Sequence, residues 1–277
     1  AKKPKVGILT SLPLDMGKGG IQAVMSGQIN PFVLYTQIRE LYDVQMLSQQ
    51  FTSIGSEIDL LMIVLPRPLD PLTSYAIDQF VLRGGRVIVF TDPVAELAKP
   101  PSQSKNRMAS PESFSPSSSL PELFKAWGVE MNPNRIVGDR TLAQRVTVEY
   151  LDEQQDVAYV GWLGLRGPAF NRNDPVTGDL QLMNMAMAGH LQRIKNATTT
   201  LTPLITTSDD AALIDVTEAL RRVPNPIELL RAFQPSGEQY VLAARVTGPA
   251  ASAYKDKPPL PKDASPELID EYKSMPP

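Results

Sequence analysis

Six residues of this sequence stand where α/β proteins often hold a working group, at the end of a buried strand. Each follows a short apolar run, and the six residues are Thr10, Ser11, Pro66, Thr91, Asp92 and Pro93. In an open parallel sheet, ligands bind beyond the carboxyl ends of the strands. We therefore expect these six residues to line one crevice and to contact a ligand or a partner there.

Composition restricts the chemistry of that crevice. The chain has no cysteine, which excludes thiol catalysis, disulfide bonds and cysteine-ligated zinc. A G-x-S-x-G turn is absent, and the one histidine, His190, lies far away in sequence. Asp92 fits two interpretations, because turn aspartates commonly bond their own loop backbone but also contact ligands. The sequence therefore predicts no catalytic residue, no metal and no cofactor.

Two further motifs suggest chemistry but favour a structural interpretation. The glycine-rich stretch at residues 17–20, GKGG, lacks the serine or threonine that follows the lysine of a phosphate-binding loop. We expect a flexible loop over the crevice mouth instead. Met183, Met185 and Met187 lie near His190 and resemble a soft copper site, but methionine more often fills a core. We predict a helix for residues 180–191.

The elements that position the strand ends follow from apolar runs and helix caps. Residues 6–9, 60–64 and 87–90 predict neighbouring parallel strands, with 87–90 at the centre of the sheet. Asn30-Pro31 and Asp70-Pro71 predict two helix starts. Gly84 and Gly85 end the second helix, with Gly85 as the candidate for a left-handed backbone. The fold class is α/β, a mainly parallel sheet with helices on both faces.

The remaining sequence extends this domain. Residues 1–97 form the first half of the α/β core, and residues 98–119 form a Ser/Pro-rich loop with little regular structure. Residues 120–254 continue the domain with additional strands and helices, including a helix that begins at Asn225-Pro226. Residues 255–277 are Pro-rich and charged, and we interpret them as a spacer toward a missing membrane anchor.

Charge and hydropathy exclude two classes of partner for the chain itself. The 277 residues carry 27 basic and 30 acidic side chains, a net charge of −3. That balance provides no basic face for nucleic acid. No apolar run in the sequence reaches the ~18 residues of a membrane span.

Five stretches together are similar to a known family. They lie at residues 5–14, 34–45, 58–93, 123–140 and 237–248, and the longest reads IDLLMIVLPRPLDPLTSYAIDQFVLRGGRVIVFTDP. The sequence resembles the GldG-like family, auxiliary components of ABC-type transport systems named from bacterial gliding motility. The resemblance covers most of residues 5–248. It rests on many dispersed matches and not on one catalytic signature.

The resemblance implies a location and a set of partners. It implies a periplasmic or other extracytoplasmic domain, anchored by membrane helices outside these residues and associated with an ABC permease and its ATPase. It also implies a glutamine amidotransferase-like (flavodoxin-like) core that lacks the catalytic residues of that fold, in agreement with the missing cysteine.

Three functions follow from the sequence and the resemblance. The first is a non-enzymatic extracytoplasmic domain of an ABC-type transport system. The second is a solute- or glycan-binding domain that uses the strand-end crevice. The third is a cryptic hydrolase built on aspartate and serine. We favour the first, because the recognisable patterns in the sequence specify strands, helices and caps, and none of them is a motif for an activated nucleophile.

Overall fold

The computed structural model describes residues 3–95, 117–150, 153–219, 225–258, 260–261 and 264–275. The chain divides into two compact units, and each is described by itself. Unit 1 comprises Ala1–Thr91 and Ala251–Pro277, and unit 2 comprises Asp92–Ala250. Unit 1 is thus built from two segments that are distant in sequence. Most of the predicted loop at residues 98–119 lies outside the described residues.

The helices and strands have the following bounds. The strands are β1 (Lys5–Thr10), β2 (Asp43–Met46), β3 (Leu60–Val64), β4 (Arg86–Phe90), β5 (Val129–Met131), β6 (Arg135–Asp139), β7 (Ala143–Tyr150), β8 (Glu153–Arg166), β9 (Leu182–Ala186), β10 (Leu191–Arg193), β11 (Thr200–Thr206), β12 (Ala211–Asp215) and β13 (Val241–Thr247). The α-helices are α1 (Gly20–Met25), α2 (Val33–Leu41), α3 (Pro71–Leu82), α4 (Pro121–Ala126), α5 (Val216–Ala219), α6 (Pro226–Ala232) and α7 (Pro266–Ser274).

Unit 1 contains a parallel four-stranded sheet in the order β2-β1-β3-β4. Val6 lies opposite Leu60, and Leu60 lies opposite Arg86, with every pair parallel. The predicted parallel pairing of three apolar strands is therefore confirmed. Both faces of β3 are buried: Met62 packs with residues of α2, and Leu61 and Ile63, which point to the opposite face, are fully buried.

Strand β4 lies at an edge of the sheet and not at its centre, so that prediction was wrong. Its residues alternate, with Arg86, Ile88 and Phe90 exposed and Val87 and Val89 half-buried. Apolar residues on both faces had indicated a covered central strand. An uncovered edge strand can carry the same residues, and periodicity alone does not separate the two.

The two predicted helix starts have different outcomes. The Asp70 carboxylate accepts hydrogen bonds from the Leu72 and Thr73 N–H groups, at 3.0 and 3.1 Å, and caps α3 as predicted. The Asn30-Pro31 start was wrong, since α2 begins at Val33. The reason is that Phe32 has an extended backbone (φ −63°, ψ 142°), and its N–H donates to the Leu14 carbonyl at 2.9 Å. The helix begins only after that bond is made.

The sheets described in unit 2 are antiparallel. Their strand orders are β11-β13-β10-β5, β12-β6 and β7-β8-β9. The expectation of a mainly parallel sheet therefore holds for unit 1 alone. The predicted helix at Asn225-Pro226 is present as α6, with the Asn225 side chain accepting from the Ile227 N–H at 3.1 Å.

The predicted helix at residues 180–191 was wrong, because Leu182–Ala186 form strand β9. Leu182 and Asn184 are exposed while Met183 and Met185 are half-buried, which is the two-residue period of a strand. Pairing with β8 overrides the helix preference of methionine and alanine. Met183 and Met185 pack against the core around Leu163 and Leu165 and are not assembled as metal ligands.

The C-terminal segment belongs to unit 1, and its interpretation as a spacer was wrong. Residues 266–274 form α7, which the Ser265 side chain caps. Met275 is buried with Leu72 and Tyr75 of α3. The segment is also held by polar contacts, since Thr52 donates to the Glu271 carboxylate at 2.5 Å. Whether it leads toward an anchor remains a prediction.

Candidate interaction surface

The strand-end residues of unit 1 use their polar groups locally. The Ser11 hydroxyl donates to the Leu65 carbonyl at 2.6 Å. The Thr10 hydroxyl accepts from the Leu12 N–H at 3.0 Å, and the Thr10 carbonyl accepts from the Gln49 amide at 2.5 Å. The Ser11–Leu65 bond joins the ends of β1 and β3, and Pro66 next to Leu65 is buried. The hydroxyls therefore hold the loop backbone.

The other three predicted site residues mark the boundary between the units. Thr91 ends unit 1, and Asp92 and Pro93 begin unit 2. The Asp92 carboxylate accepts from the Val94 N–H at 3.0 Å, and the Asp92 carbonyl accepts from the Ser118 N–H at 2.8 Å. Both bonds belong to the loop-bonding interpretation of Asp92. A ligand or partner contact at these positions remains a prediction.

His190 lies in unit 2 and is only 4% exposed. Its ring packs edge-on against Tyr240, with the ring centroids 5.4 Å apart, and its Nδ1 has no hydrogen-bond partner among the described residues. Burial lowers the pKa of His190 below its ordinary value, and the charge of Glu130 opposes that shift in part. The histidine is thus a neutral core residue. Within the described ranges, no cluster of histidine, aspartate and glutamate is suited to hold a metal ion.

The buried His190 predicts a pH-dependent stability. Below about pH 6.5 the unfolded histidine binds a proton, whereas the folded one stays neutral down to its lowered pKa. The free energy of unfolding should therefore fall as the pH drops below about 6.5, and should be unaffected by this group at higher pH. Urea denaturation at several pH values measures the effect. His190→Phe keeps an aromatic ring against Tyr240 and should lose the part of the pH dependence that His190 causes. The same pH dependence of the free energy of unfolding in both proteins would contradict this prediction.

Residues 13–32 form a loop in unit 1 that is closed at its base. The Phe32 N–H bonds to the Leu14 carbonyl, and Leu14 is buried. Gly17 lies so close to the opposite side of the loop that a Cβ there would meet the Asn30 carbonyl oxygen at 2.0 Å, and its φ of +85° also requires glycine. Gly17 of the GKGG stretch therefore closes a loop that carries α1.

An apolar surface lies on this loop and the first turn of α2. We define the α1 surface as Ile21, Val24, Met25, Ile29, Val33 and Leu34. These are six of the thirteen large apolar side chains that are exposed among the described residues, although they span only residues 21–34. Ile21 is 70% exposed, Met25 85% and Val33 77%. Concentrations of exposed apolar side chains are typical of interaction sites, and these six residues are therefore the candidate interaction surface of the chain.

The geometry of α1 places three residues of this surface on one side of the helix. Ile21, Val24 and Met25 are spaced i, i+3 and i+4 on the helix, which places them on one face. A cavity of about 420 Å³ is lined by residues of the loop and of the α2 start, including Ala23 and Phe32. Neither this cavity nor a second one of about 220 Å³ is lined by any of the six strand-end residues.

Sequence reasoning missed the α1 surface, although a signal was present. Between Asp15 and Arg39 the only charged residue is Lys18. A stretch of 23 residues with a single charge is typical of two kinds of segment. If the segment is buried, it belongs to the core; if it is exposed, it is typical of a binding surface. The glycines at residues 17–20 predict a flexible loop, whereas the structure has helix α1 at Gly20–Met25.

The fold and the surface define a class of protein: an α/β unit that is interrupted by an antiparallel unit and carries an exposed apolar surface. A family model described as an ABC-type uncharacterized transport system matches residues 3–275. The chain therefore belongs to this family of auxiliary components of ABC-type transport systems. No curated protein and no solved structure shows a significant match. Among the described residues, no helix has the length and hydropathy needed to cross a membrane.

Proposed function

We propose that the chain is a non-enzymatic, extracytoplasmic component of its ABC-type transport system and that it acts by binding the membrane-embedded permease through the α1 surface. The observation that carries the proposal is the set of six exposed apolar side chains on residues 21–34. Membership of the transport family gives the surface a partner class. The proposal places the ATPase in the same assembly, on the other side of the membrane.

The composition of the α1 surface suits the core of a protein–protein interface. Ile21, Val24 and Met25 offer an apolar helix face, and Asp15 and Lys18 are the only charged residues in the loop at residues 13–32. The core of a protein interface is depleted of charged residues and enriched in apolar ones such as methionine. A helix face of this kind binds by insertion into a hydrophobic groove of its partner.

The hydrogen bonds and packing of the candidate catalytic side chains support the non-enzymatic part of the proposal. The hydroxyls of Thr10 and Ser11 and the carboxylate of Asp92 are engaged in loop hydrogen bonds. His190 packs against Tyr240. A nucleophile needs a base within hydrogen-bond reach, and the bonds of the Thr10 and Ser11 hydroxyls in the described structure are to backbone groups. The alternative of a solute- or glycan-binding crevice receives no support from the two cavities.

The extracytoplasmic location and the relation to the gliding-motility branch are also part of the proposal. The absence of cysteine suits an oxidising compartment. The resemblance to the GldG-like family supplies the rest, including anchoring membrane helices outside these residues. Transport of a cargo is then the task of the permease and ATPase, and this chain contributes a contact surface.

Charged substitutions on the α1 surface test the proposal. Ile21→Glu combined with Met25→Glu should reduce co-purification of the permease more than tenfold, since burying an unpaired charge at an interface costs well over the ~1.4 kcal/mol that corresponds to tenfold. Cells that express the protein at its native level are solubilised, and the permease is quantified by mass spectrometry. Val176→Glu, at an unrelated apolar residue that is 62% exposed, is the matched control.

Two outcomes of that experiment would contradict the proposal. One is unchanged permease recovery with the double variant. The other is an equal loss with Val176→Glu, because a general effect of surface charge would then explain the result. Circular dichroism of both purified variants establishes that the fold is intact.

A further inference from the structure

We propose that the chain self-associates by antiparallel pairing of strand β4 with β4 of a second copy. The two four-stranded parallel sheets would then join at their β4 edges around a twofold axis. This inference goes beyond the proposed function and rests on different residues. It depends on the backbone of Arg86–Phe90 and on the side chains that this strand exposes.

Within the described part of the chain, the backbone groups on the outer side of β4 have no strand partner. Its only strand partner in the described structure is β3. The Phe90 carbonyl accepts from the Leu65 N–H at 2.9 Å and therefore points toward the β3 side. The direction of the backbone groups alternates along a strand, so those of Val87 and Val89 point to the outer side. Unpaired edges of this kind are templates for pairing with another chain.

Antiparallel pairing around a twofold axis at Ile88 would give all of these backbone groups a hydrogen-bond partner. It places Val87 opposite Val89 of the second copy, and the reverse, so that the outward N–H and C=O groups of both residues pair. Ile88 then faces Ile88 of the second copy in a non-hydrogen-bonded pair, the closer of the two antiparallel spacings. The odd-numbered residues provide the hydrogen bonds and the even-numbered residues provide the side-chain contacts on the exposed face.

The side chains of β4 are self-complementary in this register. Ile88 is 41% exposed and Phe90 is 50% exposed, and both lie on the same face of the strand as Arg86. Across the axis, Arg86 lies opposite Phe90 of the second copy, where a guanidinium is attracted to the aromatic ring. Two arginine–phenylalanine pairs therefore flank a central isoleucine pair, and no like charges face each other.

The other edge of the sheet differs in ways that oppose pairing. Strand β2 has four residues, and its exposed positions are Asp43 and Gln45. Short edge strands with exposed charge are the usual protection against sheet-to-sheet association. Strand β4 has no proline, bulge or acidic residue within its five residues. The contrast between the two edges assigns self-association to β4.

The expected dimer is reversible. A single strand pair buries less than the ~1,200 Å² of a stable standard interface, so the association should depend on protein concentration. Sedimentation velocity over a concentration series should show a monomer–dimer equilibrium for the wild type. Ile88→Lys places two like charges opposite each other and should shift the equilibrium to the monomer.

Cysteine cross-linking tests the register directly, because the chain has no native cysteine. Non-hydrogen-bonded pairs have Cα atoms about 4.5 Å apart, within the range of a disulfide. Ile88→Cys should therefore form a covalent dimer rapidly under mild oxidation. Leu82→Cys is the control, since Leu82 is 40% exposed but lies on helix α3.

Three outcomes would overturn the inference. The first is a wild type that stays monomeric at every concentration. The second is an Ile88→Cys variant that cross-links no faster than Leu82→Cys. The third is a dimer that persists in Ile88→Lys, because its interface would then lie elsewhere. Far-ultraviolet circular dichroism verifies that each variant is folded.

Discussion

Gly85→Val should lower the free energy of unfolding of unit 1 by about 3 kcal/mol, at the upper end of overpacking effects. A Cβ at Gly85 would lie 2.4 Å from two ring carbons of Phe80 and 2.4 Å from its carbonyl oxygen. Phe80 is 2% exposed and cannot withdraw, and the Gly85 N–H is bonded to its carbonyl at 2.8 Å. Valine must therefore displace the end of α3 from β4.

Gly84→Ala is the matched control. It separates the cost of a left-handed backbone from the cost of close contact with Phe80. Gly84 has a φ of +91° and nothing within 4 Å of its absent Cβ. The left-handed conformation therefore lies at Gly84 and not at Gly85, where the sequence had suggested it. Alanine at position 84 should cost only the left-handed penalty of about 1–2 kcal/mol. A larger loss for Gly84→Ala than for Gly85→Val would show that close contact with Phe80 is not the constraint.

Hydrogen exchange is the suitable measurement for these variants. Both tryptophans of the chain, Trp127 and Trp162, lie in unit 2, so fluorescence reports on that unit. Backbone amides of β1 and β3 report on unit 1. Their slowest exchange gives the free energy of opening of the parallel sheet.

Asp78→Ala should destabilise unit 1 by about 3 kcal/mol and release the C-terminal segment. Asp78 is fully buried, and its carboxylate accepts from the Ser252 hydroxyl at 2.7 Å and from the Ala253 N–H at 3.1 Å. Hydrogen bonds to charged groups contribute about 1.5–3 kcal/mol each, and their loss leaves the Ala253 N–H without this acceptor. Limited proteolysis should then cut within residues 251–275.

Ser252→Ala provides the comparison, because it removes the Ser252 bond to Asp78 and the bond from the Tyr254 N–H at 3.0 Å but leaves the carboxylate and its bond to the Ala253 N–H in place. We expect a loss of about 1 kcal/mol and little new proteolysis. Tyr75 and Tyr254 pack edge-on with their ring centroids 5.4 Å apart, and this contact should hold the segment in Ser252→Ala. Equal protease sensitivity of the wild type and Asp78→Ala would contradict the role assigned to Asp78.

The sequence was informative where local chemistry decides the structure. Apolar runs predicted the parallel pairing of β1, β3 and β4, and the Asp70 and Asn225 caps predicted two helix starts. Each of these features depends on a few adjacent residues. Strand periodicity and cap hydrogen bonds operate within one element and can be recognised without knowledge of its neighbours.

The features that were not predicted depend on distant parts of the chain. Strand β9 forms because β8 pairs with it, and β4 is an edge strand because no described strand lies beyond it. Residues 251–275 return to α3 across about 170 positions of sequence, through bonds such as that from Ser252 to Asp78. The α1 surface was missed for the same reason, since exposure of an apolar residue is decided by what covers it.

The most direct test of the central claim is photo-crosslinking from the α1 surface in living cells. A photoreactive amino acid replaces Met25, which is 85% exposed, and a second protein carries it at Val176 in unit 2. After irradiation, cross-linked partners are identified by mass spectrometry. We predict that Met25 captures the permease of the transport system and that Val176 does not. The same set of partners from both positions, or no permease peptide from Met25, would contradict the claim that this surface binds the permease.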